Sequence, residues 1–319
     1  MRSETQERMD WWSQLEEDYE GEGATRTRKS RPARAKRIDD QVRSELAAQL
    51  YQPESGYRFK YKAARHEQLW ISTALERFYD DSLITDVLRM VKGGKEANVY
   101  CCQANPSLGM ELLAAKIYRP RMLRNLKNDA LYREGRAVLD DDGKALRDQR
   151  SQRAIRKKTR IGSEMSITSW IEHEYRIMES LYQAGADVPE PVAQAGNAIL
   201  MAYVGEEGSP APTLSEVTLP RSEAKPLFDR LIENVRLMLE RHLVHADLSA
   251  YNVLYWEGSV TIIDFPQGVD SLRNRRAFDL LLRDVERLCQ YFSRYGVRAN
   301  ARALVGDLWN RYERGRMDD

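Results

Sequence analysis

His245-Ala246-Asp247-Leu248-Ser249-Ala250-Tyr251-Asn252, followed twelve residues later by Asp264 at the end of Val260-Thr261-Ile262-Ile263-Asp264, decides how the chain is read. The stretch supplies one carboxylate to orient a hydroxyl, then an amide oxygen and a second carboxylate that can share a hard cation. Mg²⁺ takes oxygen ligands and keeps positions for substrate phosphates. An Asp, an Asn five residues on, a hairpin, and an Asp after an apolar strand form the layout of a phosphotransferase centre. A lone Asp before Leu-Ser is an ordinary turn residue, and a lone Asn is a turn former. The three together at these distances point to ATP chemistry.

Each residue type has a physical reason to be there. Asp247 can orient a hydroxyl and take its proton, because phosphoryl transfer depends mainly on positioning and charge stabilisation. Asn252 can lend a carbonyl oxygen to the metal. Asp264 ends an apolar strand, where an unpaired carboxylate is costly and a metal ion is the natural partner. His245 reads as a brace for the loop by hydrogen bonding, not as the base.

Further upstream, Leu112-Leu113-Ala114-Ala115-Lys116 places a cation in a strand otherwise apolar and small. It needs an anionic partner, and nucleotide phosphates or Glu174 qualify. Ile167 to Ala184 has helical periodicity, with Ser166 or Thr168 as cap and Gly185 past its end. Trp170, Ile177, Met178, Leu181 and Glu174 share one face; Glu172, Arg176, Glu179 and Gln183 fall on the opposite, wet face. Glu172 and Glu174 stand about 200° apart on the helix, so only Glu174 points inward. Lys92-Gly93-Gly94-Lys95-Glu96-Ala97-Asn98 sits between strands, and its glycines can let backbone amides approach phosphates. It is neither G-x-G-x-x-G nor a Walker A sequence.

Around these motifs the elements alternate in an orderly way. A helix over Glu67–Tyr79 precedes strands at 86–91, 97–102 and 111–118, which suggest an antiparallel sheet. Strands at 191–194 and 198–204 follow the 167–184 helix. Gly205 to Pro220 reads as a connector. Helices are expected over 222–242, 278–295 and 300–314, with the hairpin 253–264 between the first two. In the 222–242 helix Leu227, Leu231, Val235 and Met238 face inward.

Charge is distributed in blocks, although Lys plus Arg (50) and Asp plus Glu (49) nearly cancel. Residues 1–22 hold eight acids against two bases, and 24–37 hold seven bases and no acid. Residues 119–160 carry fourteen bases and six acids. Blocks of this kind are usually mobile tails or loops, and basic ones can bind nucleic acid. Residues 1–65 are therefore expected to be a largely disordered extension with a short helix over 38–50, and 119–160 a basic flexible insertion. Cys101, Cys102 and Cys289 have no zinc spacing and cannot form a disulfide scaffold. No run approaches 18 apolar residues and no signal sequence is present, so a soluble cytoplasmic protein without membrane contact is expected.

Taken together, Gly94-Lys95-Glu96-Ala97-Asn98-Val99-Tyr100, Ala115-Lys116-Ile117-Tyr118, Trp170 with His173-Glu174-Tyr175, Val188-Pro189-Glu190-Pro191, Pro210-Ala211-Pro212, the His245–Asn252 stretch and Ile263-Asp264 resemble the motifs of the RIO family of atypical serine/threonine protein kinases. The resemblance runs from about residue 85 to 295, and the mixture of motifs is similar to a bacterial-type member. It implies an α+β, bilobal protein-kinase-like fold. The N-lobe, 66–205, would be an antiparallel sheet plus a helix. The C-lobe and tail, 206–319, would be mostly helical and lack an activation loop. It also implies ATP and Mg²⁺, or Mn²⁺ in its place, as cofactors.

By the same resemblance Gly94, Lys95 and Glu96 belong to the phosphate loop, and Lys116 contacts phosphates and pairs with Glu174. Met201 is the gatekeeper, and the backbone of Ala202 and Val204 meets adenine. Asp247 is the catalytic Asp, Asn252 and Asp264 hold the metal, and Asp264 is associated with an aspartyl-phosphate intermediate. Three positions depart from the pattern: Lys92-Gly93 replaces a usual Ser-Thr, Ala202 an acidic hinge residue, and Ala250 a Glu. The implied activity is Ser/Thr phosphorylation, including self-phosphorylation, with the protein substrate unspecified. An ATPase switch on ribosomal particles, contacting RNA through 24–37 and 119–160, is the alternative. A small-molecule kinase of the aminoglycoside type shares H-x-D-x4-N but tends to have a larger C-lobe, and a pseudokinase would not keep every catalytic residue type.

Overall fold

The structure, a computed structural model, describes residues 59–63, 65–94, 96–118 and 160–315, all within the compact unit Arg58–Asp319. The expectations for the acidic and basic segments before residue 59, the 38–50 helix, the insertion at 119–159 and Lys95 lie outside the described residues.

Helix α1 (Arg65–Asp80) packs against a five-stranded antiparallel sheet of β1 (Ile84–Gly93), β2 (Ala97–Ala104), β3 (Leu112–Tyr118), β4 (Pro191–Ala195) and β5 (Ala198–Ala202). Their spatial order is β1-β2-β3-β5-β4, so β3 is central. Consecutive residues Cys101 and Cys102 are both fully buried, as are Leu113, Ala115 and Ile117. Neighbours on a strand point to opposite faces, so both faces are covered at this part of the sheet. That is why β2 and β3 read as continuous apolar runs without alternation. Ala74, Leu75 and Phe78 of α1 are buried, as their helical spacing predicts.

Helix α2 (Arg160–Gln183) starts earlier than expected. It runs straight through Ser166 and Thr168, so neither caps its start. A Ser or Thr caps only where the chain leaves the helix before it, and no proline in 160–168 forces that exit. Trp170, Ile177, Met178, Leu181 and Glu174 are buried together, as expected. Glu172 is a correction: it too is buried, and it is ion-paired one turn on with Arg176 at 2.7 Å. That local partner lets a carboxylate off the apolar face leave water.

The connector after β5 holds a short hairpin, β6 (Gly205–Glu206) and β7 (Ser209–Pro210). Helix α3 (Arg221–Glu240) follows, burying Leu227, Leu231, Val235 and Met238. Strand β8 (Leu243–Val244) leads into the loop 245–252, and the hairpin β9 (Val253–Trp256) and β10 (Ser259–Ile262) returns the chain to Asp264. Strand β11 (Val269–Asp270) pairs with β8, and α4 (Ala277–Ser293) begins thirteen positions after Asp264. No activation loop fits in that interval. Helix α5 (Ala301–Glu313) closes the fold, its first turn capped by Asn300.

What positions the 245–252 loop is a buried carboxylate on α4. Ala246 sits in the left-handed region at φ 64°, a conformation that is costly without a glycine. The Asp284 side chain, in a residue only 1% exposed, accepts the Ala246 amide at 2.7 Å and the Leu248 amide at 3.1 Å. Arg283 donates to the Ala246 carbonyl from the same helix. Burial pushes the Asp284 carboxyl up to about 7, further than Arg283, the Ala246 amide and Arg287 pull it down. A raised folded-state value means stability that is complete below about pH 4 and is lost as pH rises through 7. The Asp284 carboxyl should therefore contribute a loss of stability across that window, with a limiting slope of about 1.4 kcal/mol per pH unit. Asp284→Asn should lack that component in urea unfolding at a series of pH values; parallel curves for the two proteins would sink the assignment.

Candidate active site

Lys116 projects from β3, where it is paired across the ladder with Ile199 of β5 and Val99 of β2. Its Nζ lies 2.8 Å from Glu174 Oε1 on α2 and 2.7 Å from Asp264 Oδ1 after β10. Tyr118, two residues along the same strand, donates its hydroxyl to Glu174 Oε2, and Lys116 stands 5.1 Å from the Tyr118 ring centre. Trp170, one turn before Glu174, meets that ring edge-on at 5.3 Å. Both oxygens of Glu174 are thus occupied, and the carboxylate is fixed toward the sheet.

The electrostatics follow from this arrangement. Burial works against the charge on Lys116, but Asp264 and Glu174 overcome it and hold the ammonium well above its ordinary value. Burial likewise opposes ionisation of Asp264, yet the charge and hydrogen bond of Lys116 keep that carboxyl below the usual range. Asp264 is also in the left-handed region at φ 73°. Glu96 is exposed, yet partial burial and then the charge of Asp264 push its carboxyl up, so it lies within electrostatic reach of Asp264.

Loop residues complete the arrangement. Asp247 Oδ1 accepts from Arg287 Nη1 of α4 at 2.8 Å. Asn252 spends its amide nitrogen on the Asp247 carbonyl at 3.0 Å and on Asp247 Oδ2 at 3.4 Å. That leaves Asn252 Oδ1 as a neutral oxygen donor. With the ionised Asp264 carboxylate, the donor set is oxygen only, which suits a hard cation such as Mg²⁺. His245 is buried; its Nδ1 accepts the Asp247 amide at 3.3 Å and its Nε2 faces the Ile263 carbonyl at 3.2 Å. This puts the proton on Nε2. Burial lowers the affinity of the ring for a second proton. The neutral ring therefore ties the Asp247 loop to the Asp264 strand as a brace.

At the other end, Gly94 donates weakly to Asn98 Oδ1 at 3.4 Å, and a Cβ there would fall 2.7 Å from the Ala97 carbonyl. Only glycine allows that tight turn. Met201 pairs with Ala114 at the end of β5, and the Ala202 amide donates to the Glu190 carbonyl. The Val204 carbonyl accepts from Ala211, while the Val204 amide has no acceptor among the described residues. An open backbone donor at this position suits an adenine ring.

Structure thus brings Lys116, Glu174 and Asp264 together and joins Asp247 to Asn252, with Glu96 within electrostatic reach of Asp264. Sequence reasoning missed Asp284, Arg283, Arg287 and the role of Tyr118. Asp284 had a readable signal: an acid on the apolar side of the α4 helix, the pattern that singled out Glu174. Arg287 had none, because an exposed-face arginine on an amphipathic helix is ordinary.

Comparison with known proteins places the chain in a family. A family model described as RIO domain matches residues 128–304, a span that holds Glu174, Asp247, Asn252 and Asp264. Human serine/threonine-protein kinase RIO1 is 30% identical over 267 residues, covering 82% of this chain and 44% of its own length. RIO-type serine/threonine-protein kinase Rio1 of Thermoplasma acidophilum is 31% identical over 140 residues, 44% of this chain and 72% of that protein. This chain spans about two fifths of the length of three eukaryotic relatives it matches, 44%, 37% and 41%. Among solved structures, the Rio2 kinase–ADP/Mg²⁺–phosphoaspartate complex from Chaetomium thermophilum superimposes with a TM-score of 0.53 at 19% identity, covering 86% of this chain and 75% of that one. A second Chaetomium thermophilum Rio2 structure gives 0.50 at 20% identity. The α+β kinase-like fold and the matched span agree: the chain belongs to the RIO family.

Proposed function

We propose that the protein is an ATP- and Mg²⁺-dependent serine/threonine kinase of the RIO type. The observation that carries this is the Lys116 ammonium held between Glu174 and Asp264, with Asp247 and Asn252 joined beside it. In this reading Lys116 meets the nucleotide phosphates, and Gly94, Lys95 and Glu96 form the loop over them. Met201, Ala202 and Val204 border the adenine. Asn252 and Asp264 hold Mg²⁺, with Mn²⁺ able to replace it, and the metal when bound neutralises phosphate charge. Asp247 orients the acceptor hydroxyl and takes its proton. Residues 66–205 serve as the nucleotide lobe and 206–319 as the lobe carrying Asp247.

Among the described residues no helix is long and apolar enough to cross a membrane, which fits a cytoplasmic enzyme. Relatives named as serine/threonine-protein kinases support the choice of acceptor. With labelled ATP, the full chain should incorporate phosphate into itself or an added protein. Asp247→Ala and Lys116→Met should each reduce incorporation by at least about 100-fold. Equal labelling by wild type and Asp247→Ala would refute the reading.

A second reading has its own support. Asp264 is ionised, faces Lys116, and its side chain is 39% exposed. A solved relative of the same fold is described as a phosphoaspartate complex. One Asp264 oxygen would bond to the γ-phosphorus as the bond to the ADP oxygen breaks, and water would later release phosphate. That makes the protein an ATPase switch, with RNA or ribosomal particles contacted through segments 24–37 and 119–160. Label carried on Asp264 should be released by hydroxylamine at neutral pH; label that resists hydroxylamine and survives in Asp264→Asn would exclude the acyl phosphate.

A further inference from the structure

Helix α4 carries arginines at a spacing that the site chemistry leaves unexplained. Arg276 and Arg294 cap its two ends, and Arg283 and Arg287 lie between them. At 100° per residue these four fall within about 20° of one line along the helix. Arg287 is seated on Asp247 Oδ1, and Arg283 on the carbonyl of the residue before it. The line therefore passes directly beside the candidate hydroxyl-orienting carboxylate.

Two features indicate that this line meets an anion. No ion pair joins Arg276, Arg283 or Arg294 to a carboxylate among the described residues. Arg276 and Arg294 are exposed at the two ends of the line, whereas Arg283 has a buried Nε and an arm on Ala246. An exposed guanidinium without an ion pair is suited to a planar two-oxygen acceptor, because arginine pairs with carboxylates and phosphates through a fork of donors.

We propose that the Arg276–Arg283–Arg287–Arg294 line is a docking strip for a polypeptide substrate with acidic residues flanking its Ser or Thr. This rests on Asp247 being the residue beside the reacting hydroxyl. The strip is about 27 Å long, which an extended peptide of about eight residues spans. Asp279 and Glu286 are exposed and lie about 60° to 80° to one side of it. The positive surface is therefore a narrow lane bordered by acids along one side. A side chain carboxylate can be placed into such a lane, whereas a continuous phosphate backbone is repelled along its edge. That difference selects a protein over RNA as occupant.

Binding to the full chain, measured by fluorescence anisotropy without ATP, tests the strip independently of catalysis. The probes are eight-residue peptides with a central Ser and either Asp/Glu or Asn/Gln flanks. The acidic peptide should bind at least about 10-fold more tightly than the neutral one and weaken with salt. Arg276→Ala/Arg294→Ala should lower its affinity about 10-fold while the thermal shift caused by ATP is unchanged, which shows that the fold and nucleotide site are intact. Equal binding of the two peptides, or an unaltered affinity in the double variant, overturns the proposal. So does displacement of the acidic peptide by a lower concentration of an eight-nucleotide RNA strand. Failure of the kinase reading shows elsewhere, as labelling from ATP that is independent of Asp247.

Discussion

One buried ammonium organises the site. Lys116, on the central strand, is 58 residues from Glu174 and 148 from Asp264 in sequence, yet bonds both within 2.8 Å. A cation taken out of water is stable only with partners in good geometry, and removing one partner of a buried pair costs about 3–5 kcal/mol. The sheet register, the rotation of α2 and the end of β10 must all be correct at once for that condition to hold. Tyr118 adds to the constraint by holding the second oxygen of Glu174. The balance still leaves an excess of negative charge, because two carboxylates share one ammonium and Glu96 lies nearby with its carboxyl pushed up. A space of that kind favours a divalent cation, and ATP chelates one.

A second constraint is backbone strain. Ala246 and Asp264 both adopt left-handed conformations that cost about 1–3 kcal/mol each in a residue with a side chain. They persist because neighbours over-determine them. Asp284 fixes the amides on both sides of Asp247, and His245 ties the loop to the Ile263 carbonyl. The two acids are thereby presented from separate segments at positions that neither segment would adopt alone. Helix α4 acts on the site through this backbone grip and through Arg287, which meets the Asp247 carboxylate.

Much of this is legible in the sequence. Lys116 was conspicuous as a cation in a run of small apolar residues, and Glu174 as an acid on an apolar helix face. Those signals work because burial of charge is expensive and demands a partner. The same reasoning placed Glu172 in water, and that was wrong. Face arguments see only the periodicity, and Arg176 one turn on supplied a partner that made burial tolerable. The start of α2 was misread because Ser166 and Thr168 have the chemistry of caps, while capping depends on where the chain exits the helix. Asp284 was overlooked although its signal matched that of Glu174. Its partners are backbone amides, which every residue has, so no side chain elsewhere in the sequence advertised the need for it. Arg287 was beyond reach because its partner lies 40 positions away across a turn of the chain.

These interactions divide the site into a rigid half and an exchangeable half. The Lys116–Glu174 pair has side chains 13% and 5% exposed, so water neither screens it nor competes for it. The Arg287–Asp247 pair is 39% and 48% exposed, and pairs of that exposure contribute about 0–1 kcal/mol. Stability therefore does not explain why Arg287 sits there. A contact that weak costs less to give up to an incoming group than the buried Lys116–Glu174 pair does. The guanidinium covers the Asp247 carboxylate without committing it. In the proposed kinase reading, a hydroxyl at Asp247 would replace the donor that Arg287 withdraws, and the guanidinium would then meet the negative charge of the substrate or its phosphate.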